Sequence, residues 1–170
     1  RDKGDLRTKD GMPVTAALQR QRFLKLVAEL RERGTPPDAL GMQAHVGGWI
    51  SHETQWKVYD ELAQSGLPLH VTEFWAHARN LVESGQLTQE AADQLQAEYV
   101  ANYLTCAFGH PALEGFFFWG FGGAQFGDRS SHELKPVFHR VKDLIHKEWS
   151  TRLEARTDAQ AGLRVRARFQ

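Results

Sequence analysis

The stretch LHVTEFWAH, residues 69–77, carries one carboxylate, Glu73, to the end of an apolar, β-branched run and follows it with Phe74 and Trp75. Two other apolar runs end in a comparable way: GMQAHV brings Gln43 and His45, and LEGFFFWGF brings Trp119. If the three runs are strands of one parallel sheet, their C-terminal ends lie along a single edge, and Gln43, His45, Glu73 and Trp119 converge there. A carboxylate in such a place can attack or stabilise an anomeric carbon, and an imidazole beside it can hydrogen-bond that carboxylate. An amide bonds hydroxyls, and an indole face stacks on the apolar face of a pyranose ring. Together the four residue types read as a sugar site. Positions 43 and 45 have like parity, so both side chains are expected on one side of an extended strand. Taken singly, each has a plainer use: a helix cap or surface ion pair for the glutamate, a structural hydrogen bond for the histidine, core packing for the tryptophan.

The elements that must position these residues alternate along the chain. Phe23, Val27 and Leu30 recur at i, i+4, i+7 within Ala16 to Arg33, and Gly34 with TPP ends the pattern, which predicts an amphipathic helix. DALGMQAHV follows as a short apolar run. Ser51 to Ser65 returns to helical period through Trp56, Tyr59 and Ala63 beside Val58 and Leu62, and Gly66 takes the left-handed position after the last turn. After LPLHVTEF, Thr88 offers an N-cap for a helix to about Phe108, with Ala92, Leu95, Tyr99, Tyr103 and Cys106 on one side. LEGFFFWGF is the third run, and Pro136 opens a last helix whose Phe138, Val141 and Ile145 share a face. Short runs buried on both sides and separated by amphipathic helices are the pattern of βαβ units, so the fold class is α/β with a parallel sheet. The tail TRLEARTDAQAGLRVRARF switches to a period of two, Leu163, Val165, Ala167 and Phe169 against Arg164, Arg166 and Arg168, as the first hairpin of a β module would.

Composition narrows the partners. Twenty-one basic residues balance twenty-one acidic ones over 170 residues, leaving no global field to draw in nucleic acid or an anionic membrane. The arginines of the tail read as the solvated face of a strand. No apolar run approaches the roughly 18 residues of a membrane span. The opening RDKGDLRTKD is neither a signal peptide nor a start with Met, and it reads as a cut end. The single cysteine, Cys106, excludes an internal disulfide and a cysteine-based zinc site. His139 and His146 stand seven residues apart on one helix without a supporting carboxylate pattern, and His132 precedes them, so no metal is expected. GFGGAQFG lacks the Lys-Ser/Thr ending of a phosphate loop.

GMQAHV, LPLHVTEFW and EGFFFWGF, in this order with helices between them, resemble the C-terminal half of glycoside hydrolase family 10, the endo-1,4-β-xylanases. RFLKLVAELRERG and KPVFHRVKDLIHKEW are similar to that family's flanking helices, so the resemblance runs from about Phe23 to Trp149. It implies a partial (β/α)₈ barrel, about strands six to eight, over residues 1–149, with residues 150–170 as the start of a β-rich module. It further implies that Glu73 is the nucleophile, that His45 holds it, that Gln43 contacts the catalytic centre, and that Trp119 walls the sugar nearest the scissile bond. The chemistry implied is retaining cleavage of β-1,4-xylan by double displacement, which needs two carboxyls about 5 to 5.5 Å apart and no cofactor.

In the family the acid/base glutamate lies at the end of strand four, upstream of anything in this chain, so the isolated chain is expected to be inactive or unstable. Two departures bear on specificity. Where family members follow the TE pair with an apolar residue and then Asp, this chain has Phe74 and Trp75, which makes Trp75 a further candidate for contact with substrate. Where they carry a second Trp after the last strand, GFGGAQFGDRS offers Phe121 and Phe126. Two other readings are a retaining β-glycanase of a related barrel family and a carbohydrate-binding barrel that has lost catalysis. A polymeric substrate implies export of the protein.

Overall fold

The computed structural model describes residues 7, 9, 11, 13–46, 49–120, 125–128 and 131–151. Its elements run α1 (Ala16–Glu32), β1 (Leu40–Met42), β2 (His45–Val46), α2 (His52–Ala63), β3 (Leu69–Ala76), α3 (Arg79–Glu83), α4 (Gln89–Gly109), β4 (Leu113–Phe118) and α5 (Pro136–Asp143), the last running into a π-helical turn, Leu144–Glu148. Two compact units share the chain. One comprises Arg1–Trp75 with Thr105–Trp119, the other Ala76–Leu104 with Gly120–Gln170. The expected tail hairpin, and the β module it would open, lie outside the described residues.

The first unit holds the sheet. β3 is its central strand: β1 pairs with it in parallel at Leu40↔Leu69, Gly41↔His70 and Met42↔Val71, β2 pairs with it as well, and β4 pairs in parallel on the other side. Both flanking helices start where the sequence supplies a cap. Thr15 Oγ1 accepts from Leu18 N–H at 3.1 Å to open α1, and Ser51 Oγ accepts from Thr54 N–H at 3.1 Å to open α2. Gly34 and Gly66, at φ +74° and +70°, turn the chain out of these helices through the left-handed region. Val27, Tyr59, Leu62, Leu40, Leu69, Val71 and Phe74 form the core of this unit. Arg20 and Glu61 join α1 to α2 at 2.6 Å. Where α4 gives way to β4, the His110 ring pairs with Asp60 at 3.2 Å through Nε2, accepts the Ala112 N–H at Nδ1 and stacks edgewise against Trp56.

The strand runs were expected to be buried on both sides, and they are not. Along β3 burial falls on Leu69, Val71, Phe74 and Ala76, whereas no residue of β4 is fully buried and Phe117 is 57% exposed. The helices cover one face and the other stays open.

The register is irregular at two points. One residue of β3 spans two of β4 between Leu69↔Leu113 and His70↔Gly115, and three residues of β3 span two of β4 between Val71↔Phe116 and Phe74↔Phe118. The extra residue at Thr72–Glu73 is a β-bulge, and it reverses the parity of everything after it.

In the second unit, Ala92, Ala97, Val100, Ala101, Val137, Val141 and Leu144 are buried, and the Gln96 side-chain amide, also buried, donates to the Ala76 carbonyl at 2.6 Å. α4 is capped by Thr88 Oγ1, which accepts from Ala91 N–H, and α5 opens on Pro136. The buried stripes differ from those expected. On α4 the stripe is Ala92, Gln96, Val100, Tyr103 and Ala107, with Leu95 44% exposed. On α5 it is Val137, Val141 and Leu144, with Ile145 44% exposed. Leu95 and Ile145 each stand one position outside the inward row, next to the buried Gln96 and Leu144. The short helix α3 was not expected; five residues give too little periodicity to read.

Candidate active site

The bulge brings Glu73 to the open face. In a regular strand Leu69, Val71 and Glu73 would alternate onto the same buried side. With one residue added, Phe74 and Ala76 take the buried rows, while Glu73 and Trp75 come out half-buried. Glu73 Oε2 lies 2.9 Å from His45 Nε2, with the two side chains 27% and 42% exposed, and among the described residues this is the carboxylate's one hydrogen bond. The imidazole N–H donates and the carboxylate accepts. Trp119 completes the cluster: its ring centroid is 5.8 Å from that of His45 with the planes at 62°, and its backbone N–H donates to the Phe74 carbonyl at 3.0 Å. The indole is 51% exposed, leaving an apolar face available to a ligand.

His45, Glu73 and Trp119, read from three separate runs, are therefore neighbours: His45 opens β2, Glu73 sits at the bulge within β3 and Trp119 follows β4. Gln43 stands apart. It is exposed and makes no hydrogen bond to His45 or Glu73 among the described residues. The like parity expected for positions 43 and 45 does not hold as stated, because β1 stops at Met42 and Ala44 has φ +54°, so residues 43 to 45 are not one extended strand. Trp75 lies two residues beyond Glu73 on the same side of β3, its backbone N–H bonded to the Ala44 carbonyl at 3.3 Å. Of the two phenylalanines noted after the last strand, Phe126 is 4% exposed and packs against Phe138, which makes it a core residue of the second unit; Phe121 lies outside the described residues.

Two contributors carried no sequence signal. Ala44 contributes only backbone, and Thr72 Oγ1 donates to the Met42 carbonyl at 3.1 Å, tying the bulge to the end of β1. Among the described residues no group of three or more His, Cys, Asp or Glu side chains is placed to hold a metal ion. The cluster can orient a carboxylate against an electron-poor carbon beside an exposed aromatic surface.

The profile of Glycosyl hydrolase family 10 matches residues 12–133, well over half of the chain and all of the sheet. The chain belongs to glycosyl hydrolase family 10. This family-10 chain is 26% identical over 152 residues to endo-1,4-beta-xylanase 2 of Arabidopsis thaliana, a match covering 86% of the chain and 13% of that protein. It is 24% identical over 160 residues to anti-sigma-I factor RsgI6 of Acetivibrio thermocellus, covering 90% of the chain and 19% of that protein. Among solved structures, xylanase 10B of Thermotoga petrophila in complex with xylobiose superposes with a TM-score of 0.58 at 20% identity, covering 75% of the chain and 42% of that xylanase. The family-10 chain thus spans less than half the length of each of these proteins, and its parallel sheet with flanking helices is similar to part of the fold of the Thermotoga petrophila xylanase.

Proposed function

We propose that the chain carries the nucleophile side of a retaining, endo-acting hydrolase of β-1,4-xylan, with Glu73 as nucleophile. The observation behind this reading is the 2.9 Å contact between His45 Nε2 and Glu73 Oε2 at the bulge of the central strand, beside the exposed indole of Trp119. His45 holds the carboxylate oriented. Trp119 offers the stacking surface for the sugar nearest the scissile bond, and Trp75, on the same side of β3 as Glu73, and the exposed Gln43 serve as further contacts with the substrate. In the first step Glu73 attacks the anomeric carbon and the glycosidic oxygen leaves; in the second, water displaces Glu73. Turnover on an unactivated xylan also requires a second carboxyl within about 5 to 5.5 Å of the first to protonate the leaving oxygen. With a polymer as substrate, export of the protein is part of this proposal.

A second reading is a sugar-binding role without hydrolysis. It is favoured by the lone carboxylate in the described site and by a relative named as an anti-sigma factor.

The two separate on incubation with a 2-deoxy-2-fluoro-xylobioside bearing a good leaving group, which removes the need for the acid and slows the second step. An adduct of one fluorinated disaccharide on the peptide holding Glu73, absent in Glu73→Gln, is the expected result. A folded chain that binds xylo-oligosaccharides and takes up no label would favour the binding reading.

A further inference from the structure

The backbone at Ala44 is unusual for its residue type. Its φ of +54° is in the left-handed region, which glycine and, to a lesser extent, asparagine enter readily and which β-branched residues avoid. Nothing in the side chain explains the choice, since a methyl group makes no local hydrogen bond. The backbone around it does. β1 ends at Met42 and β2 begins at His45, so Ala44 occupies the joint between two segments that pair with the same neighbour, β3. Opposite this joint, β3 holds its extra residue at Thr72–Glu73. The two irregularities are tied on both sides: Thr72 Oγ1 donates to the Met42 carbonyl at 3.1 Å, and Trp75 N–H donates to the Ala44 carbonyl at 3.3 Å. Between these ties lie the two side chains that meet, His45 and Glu73.

We infer that Ala44 is a positioning residue. Its left-handed conformation, held by the two ties to β3, sets the direction in which His45 leaves the joint, so that the imidazole reaches Glu73 at the bulge. Backbone outliers held by surrounding structure cluster at functional sites, and a kink matched to a bulge in the adjacent strand gives this one a mechanical purpose. A fully extended residue 44 would run the backbone straight on from Met42 and start the His45 side chain from a different point and direction. The imidazole would then miss the carboxylate. This inference rests on the proposed role of Glu73 only for its catalytic consequence; the geometric part stands on the hydrogen bond itself.

The test uses substitutions chosen by backbone preference at nearly equal size, Ala44→Asn and Ala44→Val, in chain labelled with ¹⁵N-histidine. Ala44 is half-buried, so either side chain has an outlet to solvent. The Nε2–H resonance of His45, assigned by its loss in His45→Gln, reports the bond to Glu73. That of His110, whose side chain is only 2% exposed and bonded to Asp60, serves as an internal reference for folding of the same unit. Ala44→Asn is expected to keep both signals, and Ala44→Val to lose that of His45 while keeping that of His110. If the valine variant does not fold, the asparagine variant decides alone: loss of the His45 signal with the His110 signal intact overturns the inference. So does a valine variant that keeps both.

In the labelling assay Ala44→Val is expected to slow glycosylation of Glu73 by about 10²-fold, the loss typical of a misplaced reacting group, with Ala44→Asn within about threefold of the parent. Absence of label in the unsubstituted chain would count against Glu73 as nucleophile, and the histidine signals would still decide the role of Ala44.

Discussion

At the residue scale, the sheet contains close approaches that leave little room for larger side chains. Gly115 on β4 is the clearest. A Cβ there would stand 3.1 Å from His70 Cδ2 and 3.1 Å from Phe117 Cε2, with both rings on the open face. Gly115→Ala is expected to destabilise by about 1–3 kcal/mol, as overpacking does, read as a lower urea midpoint. Removing the obstructing ring with His70→Ala in the same background should recover part of that loss. Cys106 offers a second residue-level test. Partial burial pushes its thiol up from the ordinary range, and its Sγ lies 3.9 Å from the His52 carbonyl. The reactive form is the thiolate, so alkylation by iodoacetamide at pH 8 should run several-fold slower than for free cysteine, and the gap should narrow as the pH is raised. Equal rates would mean that the thiol is no more shielded than in a peptide.

At the scale of elements, what could be read in advance followed from local chemistry, and what could not followed from packing between strands. Thr88 announces its helix because a hydroxyl satisfies amides that the helix leaves unpaired, a signal written in one residue; Thr15 and Ser51 cap their helices in the same way, although neither was expected as a cap. The three strand runs were legible as apolar segments in the right order, and with them Glu73, His45 and Trp119. Their irregularities were not. An alanine in the left-handed region looks like any other alanine, and an extra residue in β3 is defined only against β4 and β1. The offset stripe on α4 has a similar cause: leucine weighs heavily in a hydrophobic pattern, whereas the buried side of this helix is rich in alanine, at Ala92, Ala97, Ala101 and Ala107. Gln96 is the most telling exception, a polar residue in a buried row because the Ala76 carbonyl needs a donor. Gln96→Ala should cost about 1–3 kcal/mol by leaving that carbonyl unpaired, measurable as a drop in thermal midpoint. A change within error would show that water replaces the amide.

At the scale of the whole molecule, the family-10 sheet has one covered and one open face, and the two should respond differently to substitution. Phe117 is 57% exposed on β4. Phe117→Ser should therefore leave folding stability within about 0.5 kcal/mol, as surface changes do, while raising solubility. The same change at Phe74, which is fully buried, would be severe. With basic and acidic residues in equal number, repulsion between copies is weak, so exposed aromatic surface weighs more heavily in how the chain behaves at high concentration.

The position of β3 also fixes an order of events in time. Its neighbours β1 and β4 are distant along the chain, Leu40 opposite Leu69 and Leu69 opposite Leu113, and the two connections close loops that contain α2 in one case and α3 with α4 in the other. Helices form within about a microsecond, but a strand joined only to remote partners waits for both loops to close. In pulsed hydrogen exchange during refolding, the amides of α1 and α2 should gain protection first and those of Leu69 to Val71 last. Once protected, these same amides should be the slowest of the molecule to exchange, because opening them requires undoing the sheet from both sides.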